Sequence, residues 1–196
     1  MTTLDAAAWD ERYTAAQQWS DEPNALAARL LAEVPPGRAL DLAAGEGRMA
    51  LWLASLGWQV TALDFSAAGL ERGRARAEQR GLSVDFQVAD ATTTDLGEQV
   101  YDLVLVLYLH LARSELTGVL ARSAGAVAAG GLLLVLGHDR DNLSRGTGGP
   151  RDADLLYDVD LLRSAATGLQ LERAEQVGRP VGDDVAVDTL LLARRA

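Results

Sequence analysis

The chain contains no cysteine and no lysine among its 196 residues. The first absence excludes disulfides and thiolate metal sites, and the second excludes Schiff-base chemistry and a lysine base. All 18 basic residues are therefore arginine, set against 28 Asp and Glu for a formal net charge of −10. That balance argues against nucleic acid or an anionic membrane surface as a partner, since both are held mainly through clustered basic side chains. Long apolar runs are missing too. The longest weakly polar stretch, Ala124 to Gly137, is interrupted by Gly130-Gly131 and falls short of the ~18 residues that a membrane span needs. The first twenty residues hold Asp5, Asp10 and Glu11 and no apolar run, so no signal peptide is expected and a cytoplasmic location is. Proline is scarce, at 5, while hydrophobic residues reach 48%, a composition of compact globular proteins. The length suits one α/β domain with a substantial core.

What is present is organised around RALDLAAGEGRMALWLASLGWQVTALDFS, from Arg38 to Ser66. A short apolar run ends at Asp41 and breaks into Gly45-Glu46-Gly47, after which Met49, Leu51, Trp52, Leu53 and Leu56 recur at helical spacing. Gly57 ends that helix. Gln59 to Leu63 reads as a second strand that stops at Asp64, just before Ser66, a natural N-cap. A strand, glycine turn and helix of this kind presents backbone N–H groups to a nucleoside-like ligand and lets it approach without a Cβ in the way. Asp64 lies 19 positions beyond Gly45, close to the roughly 20 that place a carboxylate on ribose hydroxyls. Gly45, Gly47 and Ala50 also satisfy GxGxxA, a dinucleotide fingerprint. Asp41 weighs against that reading, because a dinucleotide-binding strand runs apolar up to its first glycine and a carboxylate inside it is costly.

At these residues the chain resembles the class I S-adenosylmethionine-dependent methyltransferases, most of all the small tellurite-resistance-type branch, over most of its length and more weakly after Asp139. The family's motif [DE]xGxGxG maps onto Asp41, Ala43, Gly45 and Gly47, with alanine in place of the first glycine. The resemblance implies S-adenosyl-L-methionine as cofactor. It implies contacts from Asp41, Ala43, Gly45, Gly47, Asp64 and Phe65, from Asp90 and Ala91 beside the adenine, and from Leu107 and Arg12. It also implies a Rossmann-like, doubly wound α/β domain whose seven-stranded, mostly parallel sheet has one reversed strand.

The rest of the chain fits that expectation. Trp9, Arg12, Tyr13 and Trp19 give an aromatic-rich helical start, read either as a cover over the ligand or as a helix docked by Trp9 and Tyr13, four apart. Ala25 to Glu33 reads as a second helix, and residues 1–36 together form an N-terminal helical cover to a cofactor-binding core at 37–139. ERGRARAEQR after Ser66 reads as a solvated helix face. Val84 to Val88 reads as a third strand leading to Asp90, which alternatively only forms a turn before Thr92. Tyr101 to Leu111 is the most apolar run and reads as the central strand. Arg113 to Ala128 reads as a helix turned by Gly130-Gly131 into a fifth strand ending at His138 and Asp139. Residues 140–158, with Gly146, Gly148 and Gly149, read as a long mobile substrate loop. Residues 159–196 read as a short helix and a hairpin around Asp183-Asp184.

Methyl transfer from a sulfonium is a one-step in-line displacement that needs alignment above all. The only two histidines, His110 and His138, are the candidate bases, with capping or loop packing as the alternative for each. Arg140 and Arg145 are the candidates for an anionic acceptor, or else are solvated loop residues. No metal site is expected, since cysteine is absent and the histidines lack ligand spacing. The expected partner is a small-molecule acceptor, with no nucleic acid or membrane, and the expected state is a monomer or homodimer. A nicotinamide-dependent oxidoreductase and a non-catalytic module that binds the adenosyl ligand are the competing readings.

Overall fold

The computed structural model describes residues 5–196. Helix α1 (Ala6–Ala15) opens on Asp5, whose carboxylate accepts from Ala8 N–H, and α2 (Ala25–Leu31) opens on Asn24, which accepts from Leu26 and Ala27. Such caps satisfy amides that every helix start leaves unpaired. Then follow β1 (Arg38–Leu42), α3 (Arg48–Ser55), β2 (Gln59–Asp64), α4 (Ala67–Arg80), β3 (Asp85–Val88), β4 (Tyr101–Leu107), α5 (Arg113–Ala126), β5 (Val127–His138), α6 (Asn142–Arg145), a 3-10 turn at Ala153–Leu155, α7 (Val159–Ala165), β6 (Gln170–Val181) and β7 (Asp184–Arg194). The strands form a seven-stranded sheet in the order β3-β2-β1-β4-β5-β7-β6. β1, β2 and β3 pair in parallel, whereas β7 runs antiparallel to both β5 and β6. This is the α/β architecture the sequence implied, with one reversed strand in a C-terminal hairpin.

The chain forms two compact units. The first comprises residues 5–94 and Tyr101–Leu105. Its sheet register sets Leu42 opposite Leu63. Ala39, Leu40 and Leu42 are buried, as are Met49, Leu51 and Leu53 of α3, so the helical apolar stripe read from the sequence is the face that packs. Ser66 caps α4 by accepting from Gly69 N–H, and Gly81 closes that helix at φ 63, a left-handed conformation that glycine adopts without cost.

The second unit comprises Asp95–Val100 and Val106–Ala196. Leu132 through Leu136 of β5 and Leu190 through Ala193 of β7 are buried, together with Leu116 and Leu120 of α5 and Leu161 and Leu162 of α7. Consecutive apolar residues on β5 and β7 match strands covered on both faces. β6 forms the edge and stays largely exposed.

Several boundaries differ from the sequence expectation. β1 does not stop at Asp41 but continues through Leu42, so Asp41 sits inside the strand opposite Ala62. α5 ends at Ala126 and β5 begins at Val127, which puts Gly130 and Gly131 within the strand, where Gly130 (φ 76) donates to the Arg195 carbonyl. β4 ends at Leu107 because Tyr108 turns to φ 58. The hairpin closes on Gly182-Asp183, since Val181 pairs with Asp184. Residues 140–158 are not the mobile loop that their glycines suggested. They hold α6 and the 3-10 turn, they bury Asn142 and Tyr157, and they end on an Arg113–Asp158 ion pair at 2.7 Å.

Ala43, which replaces the family motif's first glycine, sits at φ 60. The left-handed region costs a non-glycine residue about 1–2 kcal/mol, and glycine's freer unfolded state returns part of that. Ala43→Gly is therefore expected to raise the unfolding free energy by about 0.5–1 kcal/mol in urea titration, and an unchanged or lowered midpoint would show that the turn is not strained.

Candidate functional site

The glycine turn is held by two buried carboxylates. Asp64, at the tip of β2 and only 6% exposed, accepts from Gly45 N–H through Oδ2 and from Ser66 N–H through Oδ1, both at 2.8 Å. It thus ties the turn after β1 to the start of α4. Burial raises its pKa, and the Ser66 and Gly45 amides pull it part of the way back. Asp41, 3% exposed, accepts from Ala50 N–H at 3.0 Å. Ala50 lies in the first turn of α3, whose N-cap Gly47 has no side chain to offer and sits at φ 72, so Asp41 performs the capping from inside the neighbouring strand. Burial pushes the Asp41 carboxyl up to about 7 against the pull of the Ala50 amide.

The glycines make room for protein groups. A Cβ on Gly45 would stand 2.5 Å from the Tyr13 hydroxyl, and one on Gly47 would meet the Phe86 ring at 3.0 Å. Gly47 is therefore required by packing and by its φ, whatever ligand approaches it. Tyr13 is buried and stacks on Trp9 at 5.4 Å, the docking arrangement that their spacing suggested. Asp10 fastens the same helix by accepting from Ser66 Oγ and Ala68 N–H. Glu46, between the two glycines, was missed by sequence reasoning. It is 1% exposed and accepts from Gln18 N–H, Trp19 N–H and Arg76, with Arg72 at 3.9 Å. Part of the arginine-rich α4 face is consequently not solvated: Arg76 is only 14% exposed.

The remaining expected cofactor residues are placed as follows. Phe65 is half-buried beside Asp64 and Ala91 is buried, while Leu107, half-buried, is the last residue of β4 and belongs to the second unit. Asp90 is exposed, and its Oδ1 accepts from both Thr92 N–H and Thr92 Oγ at 2.8 and 2.7 Å. That is the turn-forming role weighed against adenine recognition. Arg12 is exposed and lies over the Trp9 ring at 5.1 Å.

In the second unit the two histidines come together. His110 and His138 stack with centroids 5.4 Å apart and planes at 11°. His138 Nδ1 lies 3.0 Å from Asp188 Oδ1, yet the ring N–H does not align with that oxygen, and both buried atoms lack a well-aligned hydrogen-bond partner. The other oxygen of Asp188 accepts from the Tyr108 hydroxyl and from Arg179 Nε, both at 2.7 Å. Burial alone would raise the Asp188 carboxyl, but His138, Arg179 and Tyr108 outweigh it and hold it below the ordinary value. The structure does not bring Arg140 or Arg145 into this group. Arg140 is exposed, with its backbone N–H on the Tyr157 carbonyl, and Arg145 pairs outward with Asp141 and Gln176. Arg179 stands there instead, over the Tyr108 ring at 5.4 Å. Its position follows from the β6–β7 register, which no local pattern reveals. Among the described residues no cluster of His, Asp and Glu suits a metal ion, and no helix is long and apolar enough to cross a membrane.

Residues 39–131 match the family model described as a methyltransferase domain. A demethylmenaquinone methyltransferase of Thermus thermophilus is 35% identical over 55% of this chain and 50% of its own length. A tRNA 5-carboxymethoxyuridine methyltransferase of Escherichia coli is 33% identical over 42% of this chain and 32% of its own. The chain thus spans half or less of the length of these curated relatives. Among solved structures, TehB from Haemophilus influenzae superposes with a TM-score of 0.77, covering 97% of this chain and 67% of that one at 15% identity, a likeness of fold. The likeness to a methyltransferase domain thus covers residues 39–131, a little under half of the chain.

An acid with a raised folded-state pKa keeps a proton that the unfolded chain has lost, so it lowers stability as pH rises from its unfolded value near 4 towards about 7. Asp41→Asn keeps the acceptor for Ala50 N–H and removes the titration. Relative to wild type the variant is expected to gain on the order of 1 kcal/mol per pH unit across that window. Parallel stability curves for the two proteins would show that Asp41 is ionised throughout.

Proposed function

We propose that the chain binds S-adenosyl-L-methionine at the Gly45–Gly47 turn and transfers its methyl group to a small-molecule acceptor by in-line displacement. The observation that carries this reading is Asp64, which organises the turn from the end of β2 at the position from which a carboxylate reaches ribose hydroxyls. Each oxygen spends one lone pair on the backbone and keeps another for a hydroxyl. The Asp41 carboxyl lies at the base of the turn, where it disfavours an anionic pyrophosphate. The reversed β7 also favours this reading over a nicotinamide-dependent oxidoreductase, whose usual sheet is parallel to its end.

Tyr13 lies against Gly45, so an adenosyl ligand reaching that turn shifts α1, which then serves as its cover. The net charge of −10 favours a small acceptor over tRNA.

Calorimetric titration tests the proposal. S-adenosylmethionine and S-adenosylhomocysteine are expected to bind and NAD is not. Asp64→Ala is expected to weaken binding at least tenfold, given about 1.5–3 kcal/mol for each charge-assisted hydrogen bond. NAD binding, or unchanged affinity in a folded Asp64→Ala variant, would overturn the assignment.

A further inference from the structure

The two edges of the sheet are unequal. β3 at one end has four residues, whereas β6 at the other has twelve and pairs only with β7. The way β6 turns its backbone follows from its neighbours. Asp139 N–H donates to the Val187 carbonyl, and Arg195 N–H, just past β7, donates to the Gly131 carbonyl, so the odd-numbered residues of β7 address β5. The even-numbered ones therefore address β6, where they face Arg173, Glu175, Val177, Arg179 and Val181. Ala174, Gln176 and Gly178 are left with N–H and C=O groups directed away from the sheet. Pro180, which has no N–H, stands at the next such position, where a strand tolerates proline. Side chains alternate as well, so Arg173, Glu175, Val177 and Arg179 share one face. Charge of a single sign along an edge would repel every pairing. This edge carries both signs.

We propose that β6 is a dimerisation edge, which pairs antiparallel with β6 of a second copy of this chain about a two-fold axis at Val177. In this register Gln176 and Gly178 exchange backbone hydrogen bonds with Gly178 and Gln176 of the second copy, and Ala174 N–H donates to the Pro180 carbonyl opposite. The missing N–H of Pro180 thus costs one bond on each side and does not end the ladder. Only even-numbered residues have outward backbone groups, so few registers exist, and charge separates them. An axis at Val177 sets Glu175 against Arg179 twice. Moving it to Gln176 sets Arg173 against Arg179, and moving it to Glu175 sets that acid against itself. Like charges directly opposite destabilise a strand pair and unlike charges stabilise it, so the alternation admits one register and rejects its neighbours. Arg179 spends Nε on Asp188 and Tyr108, and among the described residues no acceptor faces its Nη groups. Glu175 accepts from Arg173 Nε at 2.6 Å, with both side chains well exposed, a pair that is worth little to the free chain. On the other face Gln176 meets Gly178 and Ala174 meets Pro180, so no two bulky side chains collide. The bulge between Leu171 and Arg173 ends the paired segment. The pairing uses β6 alone and is independent of the methyl-transfer reading.

The test combines sedimentation velocity on the full chain with a cysteine series, for which the absence of any native cysteine leaves a clean background. Wild type is expected to pass from monomer to dimer below roughly 100 µM. Glu175→Arg, which sets like charges against Arg179 twice, is expected to weaken association at least ~tenfold. Val177→Cys is expected to oxidise to a disulfide-linked dimer, because residues facing each other in a non-hydrogen-bonded antiparallel pair have Cα atoms about 4.5 Å apart. Glu175→Cys and Gln176→Cys report the two neighbouring registers and are expected to cross-link far more slowly. Circular dichroism checks that each variant is folded, and if Glu175→Arg does not fold, the cysteine series decides alone. A wild type that stays monomeric at roughly 100 µM would overturn the proposal. So would a dimer that a folded Glu175→Arg leaves intact, which would place association on another surface, or cross-linking at Glu175→Cys or Gln176→Cys as fast as at Val177→Cys.

Discussion

The unit formed by residues 5–94 and Tyr101–Leu105 depends on carboxylates buried against backbone amides. Asp64 is removed from water and repaid by two N–H groups from different segments, Gly45 and Ser66, each at 2.8 Å. A buried carboxylate without such donors would cost several kcal/mol or remain protonated, so the two amides and the acid fix one another. The link sets the turn after β1 against the start of α4. Asp41 does the same for α3 through Ala50, compensating for the side chain that Gly47 lacks. The glycines confer positive φ and close approach, and the two acids decide which turn results.

Strain accompanies this arrangement. Ala43 and Tyr108 both adopt left-handed φ directly after β1 and β4, where the chain has to leave the sheet. Neither has glycine's freedom, and each conformation is held by its neighbours: Ala44 N–H donates to the Leu63 carbonyl, and Tyr108 N–H to the Leu136 carbonyl. Proteins concentrate such costs where function requires a particular exit from the strand.

The succession of strands and helices and the place of Asp64 at the tip of β2 were legible in the sequence because both depend on local signals: apolar runs, glycine turns, and a 19-residue spacing from Gly45. Ser66 as an N-cap and Trp9 stacking on Tyr13 were legible for the same reason. What escaped depends on pairing between distant segments. Asp188 and Arg179 meet Tyr108 only through the strand register, from 80 and 71 positions away. Glu46 looked like a turn residue between glycines, although its partners lie 27 to 30 positions away on either side. Residues 140–158 looked mobile by composition, whereas single anchors fix them: Asn142 accepts from Val187 N–H at 2.8 Å and donates to the Gly148 carbonyl at 2.9 Å. One buried polar residue leaves no periodic trace, so such loops are easily read as free.

The most direct measurement is a crystal structure of the full chain with S-adenosylhomocysteine. The account requires the adenosyl ribose on the Asp64 carboxylate, the ligand against the Gly45–Gly47 backbone, and Tyr13 displaced from its place over Gly45 with α1 closed around the ligand. A complex in which Tyr13 still covers Gly45 and the ligand lies elsewhere on the protein would contradict it.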